Sequence, residues 1–170
     1  MGQWSHIGDS GRPHMVDVSK KEPTRRIAWA AGHIRLSPST RETLQREGSP
    51  KGPILETARL AGIMAAKQTG HLIPLCHPLP LDQVEIAFEW VPEGLYLEAR
   101  VITTARTGVE MEALTAVTVA ALTVYDMCKS VDKSIQLGPF YLLRKEGGQS
   151  GKVEFELPRL LPLRSDPEVD

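Results

Sequence analysis

One long uncharged segment constrains what this chain can fold into. From Ala113 to Tyr125 the sequence ALTAVTVAALTVY carries no charge, and Glu112 directly precedes it. Small and aliphatic residues over this length predict a helix that is buried around most of its circumference rather than along one stripe. Asp126 and Lys129 follow at its end. We therefore expect a central helix with polar groups at both ends.

The composition favours one soluble domain. The 170 residues are 41% hydrophobic, which is enough for one sizeable core and short for two. With 20 basic and 21 acidic residues the net charge is -1, so no overall field attracts nucleic acid or an anionic membrane. The sequence shows neither an uncharged membrane-spanning window nor the pattern of a signal peptide. We expect a cytoplasmic protein without nucleic-acid or membrane partners.

The order of the predicted elements indicates the fold class. Residues 1–24 are polar and predict an N-terminal arm, and residues 152–170 predict a flexible tail. Between them, one domain at 25–151 contains a strand at 27–36, a short helix capped by Ser37-Pro38, a helix from 53 to 69 that stops at Gly70, a hairpin of 84–91 and 95–103, the uncharged helix and a last strand at 135–143. This order favours an α+β fold of the ferredoxin-like type, with helices packed on one face of an antiparallel sheet.

The start of the uncharged helix carries a capping signal. Thr107 and Glu110 match the Thr-x-x-Glu box, in which both side chains bond to backbone N–H groups, and this structural role is the favoured one for Glu110. Glu112 is not needed for the box. The positive end of the helix dipole would also favour a carboxylate there without any further function.

Asp126 has no such structural explanation, because it stands near the negative end of the same helix. It lies one turn after Leu122, on a face predicted to be apolar, and a buried carboxylate needs a partner. Lys129, three residues on, supplies one. Carboxylates with a charged partner are over-represented at functional sites, so a functional pair is favoured over a structural one.

Basic residues surround the second predicted helix. Lys51-Gly52 precedes it, where free N–H groups and the dipole favour anions. Arg59 and Lys67 lie on the helix, and Lys133 follows the uncharged helix. If the two helices pack together, these side chains form a pocket suited to several phosphates. A solvated basic face has the same sequence, and that alternative stays open.

A stiff loop at residues 72–81 contains three prolines and carries Cys76 and His77. Structural zinc needs about four ligands, and no second cluster of Cys and His offers them, so we expect no metal. Cys76 and Cys128 form no disulfide framework and are expected to be free thiols. A histidine in such a loop suits a phosphate donor or proton carrier, and a purely structural histidine is equally compatible.

The glycine-rich segment from Lys145 to Gly151 also bears a lysine. It follows a strand without opening a helix, so it is not a Walker motif. It predicts a flexible loop or a subunit contact.

Six motifs in order resemble one family. They are His14-Met-Val-Asp-Val-Ser19, Lys51-Gly52, Thr57-Ala-Arg-Leu-Ala-Gly-Ile-Met-Ala-Ala-Lys67, Leu72-Ile-Pro-Leu-Cys-His-Pro-Leu79, Thr107-Gly-Val-Glu-Met-Glu-Ala-Leu-Thr115 and Tyr125-Asp-Met-Cys-Lys129. Over residues 14 to 151 the chain resembles the molybdenum cofactor biosynthesis protein C family, the cyclic pyranopterin monophosphate synthases. The resemblance implies a ferredoxin-like fold and a homohexamer, a trimer of dimers, with active sites between subunits.

The resemblance also implies the reaction. In it (8S)-3′,8-cyclo-7,8-dihydroguanosine 5′-triphosphate rearranges to cyclic pyranopterin monophosphate and pyrophosphate, without a redox cofactor. The catalytic aspartate of the family matches Asp126, its essential lysines match Lys51 and Lys129, and Leu75-Cys-His77 and Met111-Glu112 match its substrate-binding segments. We expect Asp126 and Lys129 to act as a coupled acid/base pair.

Three further basic residues are expected to add charge for the substrate, namely Arg59, Lys67 and Lys145. Gln149 departs from the family, whose members commonly have lysine in this glycine-rich loop. Any phosphate contact from that position is therefore in doubt, and Lys145 is the expected substitute.

Three other functions compete with the synthase. A non-catalytic nucleotide-binding or regulatory module is the main alternative, because ferredoxin-like domains host many functions. A single-stranded RNA binder is disfavoured, because only 5% of the residues are aromatic and such sheets stack bases on aromatics. A structural adaptor would explain small-residue helices but not the pairing of Asp126 with Lys129.

Overall fold

The described part of the chain forms a five-stranded antiparallel sheet with three helices. In the computed structural model, which describes residues 6–7, 11–46, 48–148 and 151–155, the elements are β1 (Thr24–Arg35), α1 (Pro38–Arg46), α2 (Ile54–Leu72), β2 (Gln83–Val91), β3 (Gly94–Ala105), α3 (Glu110–Cys128), β4 (Gln136–Glu146) and β5 (Val153–Glu154). The strands lie in the order β2-β3-β1-β4-β5, and all neighbours are antiparallel. The first four strands therefore have the order of a ferredoxin-like sheet, which confirms the predicted fold class.

The two faces of the sheet carry separate apolar clusters. Alternation along β1 places Ala28, Ala30 and Ile34 in the main core with α2 and α3. On the opposite face Trp29 is buried within a smaller cluster, beneath the guanidinium groups of Arg100 and Arg144. The small residues of β1 let the helices approach the sheet closely, so α3 is held firmly along its length.

The central helix α3 is a core helix. Its buried residues are Glu112, Ala113, Ala116, Val117, Ala120, Ala121, Val124 and Cys128. By length and composition alone it would also fit a bilayer. Its buried residues, however, pack against α2 and the sheet.

The second helix does not stop at the predicted glycine. It continues to Leu72, with Gly70 inside it. Gly70 packs against the proline-rich loop, because a Cβ there would lie 2.9 Å from the Cα of Pro78. The glycine therefore serves close approach of the loop and not helix termination. At the other end of the chain, the predicted flexible tail begins with the short strand β5, and residues 156–170 lie outside the described part.

Asp132 is a buried carboxylate that the sequence did not single out. It is 4% exposed, and its oxygens accept hydrogen bonds from the Ser37 N–H at 2.8 Å and from the Ser134 N–H and hydroxyl at 2.9 and 2.6 Å. Burial alone would raise the pKa of Asp132, but these hydrogen bonds hold it well below its usual range. The carboxylate ties the end of α3 to the start of α1.

Replacing Asp132 by alanine is expected to lower the free energy of unfolding by about 2–4 kcal/mol, because three hydrogen bonds to a buried carboxylate are lost. The melting temperature should fall by about 4–15 °C. Because the folded-state pKa is depressed, this stabilisation is present above about pH 4 and is lost as the pH falls below that value. Asp82→Ala removes an exposed carboxylate bonded to Thr104 and is the control. A loss below about 1 kcal/mol at neutral pH would contradict the assignment.

Candidate active site

Lys51, Asp126 and Lys129 come together at the carboxyl end of α3, and we call them the carboxyl-end group. The Lys129 Nζ lies 2.6 Å from the Asp126 Oδ1. The hydrogen bond and charge of Lys129 lower the pKa of Asp126, and the charge of Lys51 lowers it further. The same hydrogen bond raises the pKa of Lys129. The group therefore combines one carboxylate with two basic side chains, which leaves a net positive charge for an anion.

A tight turn positions Lys51. The Lys51 N–H donates to the Ser49 hydroxyl at 3.1 Å, and the Gly52 N–H donates to the Ser49 carbonyl at 2.9 Å. Gly52 has a φ of 96°, a left-handed conformation that favours glycine. A cavity of about 260 Å³ opens beside the turn, between α1 and the end of α3. The turn thus places a lysine at a cavity whose lining includes Met127 and Cys128, the two residues that separate Asp126 from Lys129 along the chain.

The prediction that Asp126 stands on a buried face is wrong for the single chain. Its side chain is 69% exposed and that of Lys129 is 55% exposed. Leu122, one turn earlier, is itself 49% exposed. The helix buries its alanines, Val117 and Val124 against α2 and the sheet, and its exposed apolar residues are Met111, Leu122 and Tyr125. The pair therefore ends an outward apolar stripe.

A second set of polar side chains gathers at the amino end of α3, and we call Cys76, Glu110, Glu112 and Lys145 the amino-end group. The Lys145 Nζ lies 2.9 Å from the Glu110 Oε1. Glu112 is 3% exposed; burial and the charge of Glu110 raise its pKa to about 7. Burial, followed by the charge of Glu112, raises the pKa of the Cys76 thiol. Glu112 thus exchanges a proton near neutral pH.

The predicted capping box at the start of α3 is wrong. The N-cap is Val109, and no side chain caps the helix. Glu110 pairs with Lys145 instead of bonding back to Thr107. Glu110 binds Lys145 of β4, which is 35 residues away in the sequence. A contact between such distant residues cannot be predicted from the local sequence.

Lys145 lies in the sheet and not in the predicted flexible loop. Strand β4 runs to Glu146, and Lys145 pairs with Ala28, which itself lies on the face of the sheet that carries the helices. This register directs the ammonium group to the start of α3. Gln149, where the chain departs from the family, lies outside the described residues.

The His77 loop is held by the N-terminal arm. The Nε2 of His77 lies 2.8 Å from the carbonyl oxygen of Val16. A carbonyl only accepts hydrogen bonds, so Nε2 carries the proton. Sequence reasoning missed this contact. Its only signal was the motif at residues 14–19, in which Met15, Val16 and Val18 are apolar within an otherwise polar arm.

Within one chain, the contacts of Arg59 and Lys67 connect them to neither the carboxyl-end group nor the amino-end group. The Arg59 Nε donates to Glu56 at 3.1 Å, and its guanidinium lies 5.2 Å from the centre of the Phe88 ring. Lys67 is exposed on α2. These contacts do not place Arg59 or Lys67 near Lys51. The substrate-binding role of both residues therefore stays a prediction.

Neither cysteine forms a disulfide within the described part of the chain. Cys76 and Cys128 are both free, as predicted. In the described part of the chain no three His, Cys, Asp or Glu side chains are close enough to hold a metal ion. Burial raises the pKa of Cys128, which packs in the core behind the carboxyl-end group.

The two groups stand at opposite ends of one rigid helix. Glu112 and Asp126 both lie in α3, and a rise of about 1.5 Å per residue separates them by about 21 Å. One end offers two ammonium groups and a carboxylate, and the other offers a buried acid, an ion pair and the Cys76 thiol, which directly precedes His77 in the chain. The chain is therefore a ferredoxin-like protein with two charged groups whose chemistry suits an anionic small molecule.

The comparisons with known proteins identify the family. Residues 15–148 match the model of the MoaC family, and the chain belongs to this family. A relative in Trichodesmium erythraeum is 56% identical over 151 residues, which are 86% of this chain and 90% of the relative. Relatives in Dinoroseobacter shibae and Desulfatibacillum aliphaticivorans are 52% and 51% identical, covering 92% and 89% of this chain and 100% and 97% of their own lengths. Each relative is called cyclic pyranopterin monophosphate synthase.

Glu112 should make the stability of the protein depend on pH. Its pKa is raised to about 7 in the folded state, so the folded protein holds a proton that the unfolded chain has released. Stability should therefore fall as the pH rises from about 5 to 8, by about 1–3 kcal/mol. Thermal unfolding across this range should show the fall, and Glu112→Gln should remove it. Glu89→Gln, at an exposed position, should leave it intact. An unchanged slope in Glu112→Gln would contradict the assignment.

Proposed function

We propose that this chain is a cytoplasmic cyclic pyranopterin monophosphate synthase. It converts (8S)-3′,8-cyclo-7,8-dihydroguanosine 5′-triphosphate to cyclic pyranopterin monophosphate and pyrophosphate in molybdenum cofactor biosynthesis. The carboxyl-end group is the observation that supports this most, because two ammonium groups beside a carboxylate suit a reaction that releases pyrophosphate. Relatives that share the name align over nearly the whole chain.

The phosphate chemistry assigns roles to this group. A cyclic phosphate forms from a triphosphate when a sugar hydroxyl attacks the α-phosphorus and the bond to the β-phosphate oxygen breaks. The hydroxyl proton must be taken up, and the charge on the departing pyrophosphate must be stabilised. Lys51 and Lys129 bind the phosphates. As the phosphates draw Lys129 away, Asp126 loses the partner that lowers its pKa and becomes able to accept a proton.

The amino-end group is suited to the ring system. With a pKa of about 7, Glu112 exists in both protonation states near neutral pH, so it either donates or accepts a hydrogen bond at the purine-derived ring. We propose that Leu75, Cys76 and His77 form one side of the region that binds this ring, because Cys76 lies within electrostatic range of Glu112. Met111 directly precedes Glu112 on α3. In the proposed complex Arg59, Lys67 and Lys145 add positive charge around the substrate.

A composite site between subunits would bring the two groups together, and we propose that the protein is a homohexamer built as a trimer of dimers. Met111, Leu122 and Tyr125 form the outward stripe of α3, and all are exposed in the single chain. A two-fold axis across this stripe would place α3 helices antiparallel, with the amino-end group of one chain at the carboxyl-end group of the other. Leu60 and Met64 of α2 are exposed as well and would extend the covered surface.

Pyrophosphate release on incubation with the cyclic dihydro-GTP derivative tests the proposal, with the product identified by mass. The wild-type chain should release pyrophosphate, and Lys51→Ala should lose at least about 100-fold in turnover. Lys152→Ala is the control, since this lysine is an exposed cation outside the proposed site, where it pairs with Glu154 at 3.0 Å. Nucleotide binding without any release would favour a regulatory module instead.

A further inference from the structure

The N-terminal arm is hydrogen-bonded to the His77 loop of the proposed site. The His77 Nε2 donates to the Val16 carbonyl at 2.8 Å. Along the arm, Val16 and Val18 are half-buried, whereas Met15 and Asp17 are exposed. This alternation is that of an extended segment with one side against the body of the protein. The arm therefore lies on the His77 loop in a fixed register.

The described residues of the arm belong to neither of the two apolar clusters. Within the described residues, both clusters begin at β1, with Ile27 and Ala28 as their first members. Loss of the arm contact should therefore leave the folded domain intact. A role other than stability has to explain why the arm is packed at this loop.

The hydrogen bond to Val16 determines which ring nitrogen of His77 stays available to a bound molecule. A neutral imidazole carries its proton on one nitrogen only, and which one is set by the hydrogen bond of the other. With Nε2–H bound to the carbonyl, Nδ1 remains to accept a proton or a hydrogen bond. The carbonyl also holds the ring plane, since rotation about the terminal bond of a histidine is otherwise broad.

We propose that Val16 is a positioning residue of the active site, which acts by holding His77 in the Nε2–H tautomer. This inference rests on the proposed function, in which His77 contacts the substrate. The arm then has a role in catalysis, because His77 holds an unprotonated Nδ1 toward the substrate only while Val16 is hydrogen-bonded to Nε2.

A matched pair of full-length variants tests the proposal. Val16→Gly removes a half-buried side chain and loosens the backbone beside the carbonyl, whereas Met15→Gly loosens the same stretch from its exposed side. Val16→Gly should lower kcat/KM by about 10-fold or more, and Met15→Gly should leave it within about twofold of wild type. Both variants should keep the wild-type melting temperature. Equal losses in the two variants would overturn the proposal.

A double-mutant cycle separates an effect through His77 from a general effect of the arm. In a His77→Gln background, Val16→Gly should cause no additional loss, because the group it positions is absent. Losses that multiply would overturn the proposal.

Nitrogen-15 NMR of histidine-labelled protein supplies a readout that is independent of activity. The wild type should show His77 as the Nε2–H tautomer, and Val16→Gly should shift it toward a mixture. An unchanged tautomer would overturn the proposal. If the wild-type protein released no pyrophosphate, the proposed function would fail, and this spectrum would still decide the contact.

Discussion

Replacing Asp126 by asparagine is expected to lower kcat by about 100- to 10,000-fold, while KM stays within about threefold of the wild-type value. The amide keeps the size of the side chain but cannot take up a proton. Lys51 and Lys129 still bind the phosphates, so substrate affinity should persist. Because the side chain is 69% exposed, the variant should fold like the wild type. Steady-state pyrophosphate release measures both constants.

The control for this variant is an equivalent pair elsewhere on the surface. Glu154 bonds to Lys152 at 3.0 Å, and both side chains are exposed, so Glu154→Gln changes a similar ion pair outside the proposed site. Its kcat should equal that of the wild type. Wild-type turnover by Asp126→Asn at saturating substrate would show that proton transfer does not depend on this carboxylate.

Two inactive variants should restore activity when they share one oligomer. Asp126→Asn damages the carboxyl-end group, and His77→Ala damages the loop at the other end of α3. If each site takes one end from each of two chains, random mixing in equal amounts leaves about a quarter of the sites with both ends intact. Co-expression with two affinity tags and tandem purification gives the mixed protein. Its specific activity should approach about a quarter of the wild-type value.

A second mixture makes this result specific. Asp126→Asn and Lys129→Ala both damage the carboxyl-end group, so every site in their mixed oligomer receives one defective end. No recovery is expected. Recovery in neither mixture would place the whole site within one chain and would rule out the composite arrangement.

The fold was predictable because its signals are local and repeated. The alternation in the two hairpin strands and the uncharged run of α3 each indicate one element, and the order of the elements indicates the topology. The observed hairpin pairs Val91 with Gly94 around the predicted turn. Ser37 also caps α1 as predicted, since its hydroxyl accepts from the Thr40 N–H at 3.3 Å.

The parts of the site that the sequence did not predict depend on contacts between distant segments. Lys145 is 35 residues from Glu110, and His77 is 61 residues from Val16. Strand register and loop docking decide these pairs, and neither leaves a mark in local periodicity. The exposure of Asp126 was missed for a related reason. An apolar stripe indicates that a face is to be covered, but not whether the same chain covers it.

The rigid placement of α3 also predicts where this chain tolerates changes in length. One residue added inside α3 would turn everything beyond it by about 100° and move it by about 1.5 Å, so Asp126 and Lys129 would point elsewhere. The same addition in the two-residue turn between Val91 and Gly94 would leave both ends of α3 where they are. The number of residues in α3 therefore fixes the distance between Glu112 and Asp126. Insertions and deletions should be tolerated in turns and not within α3.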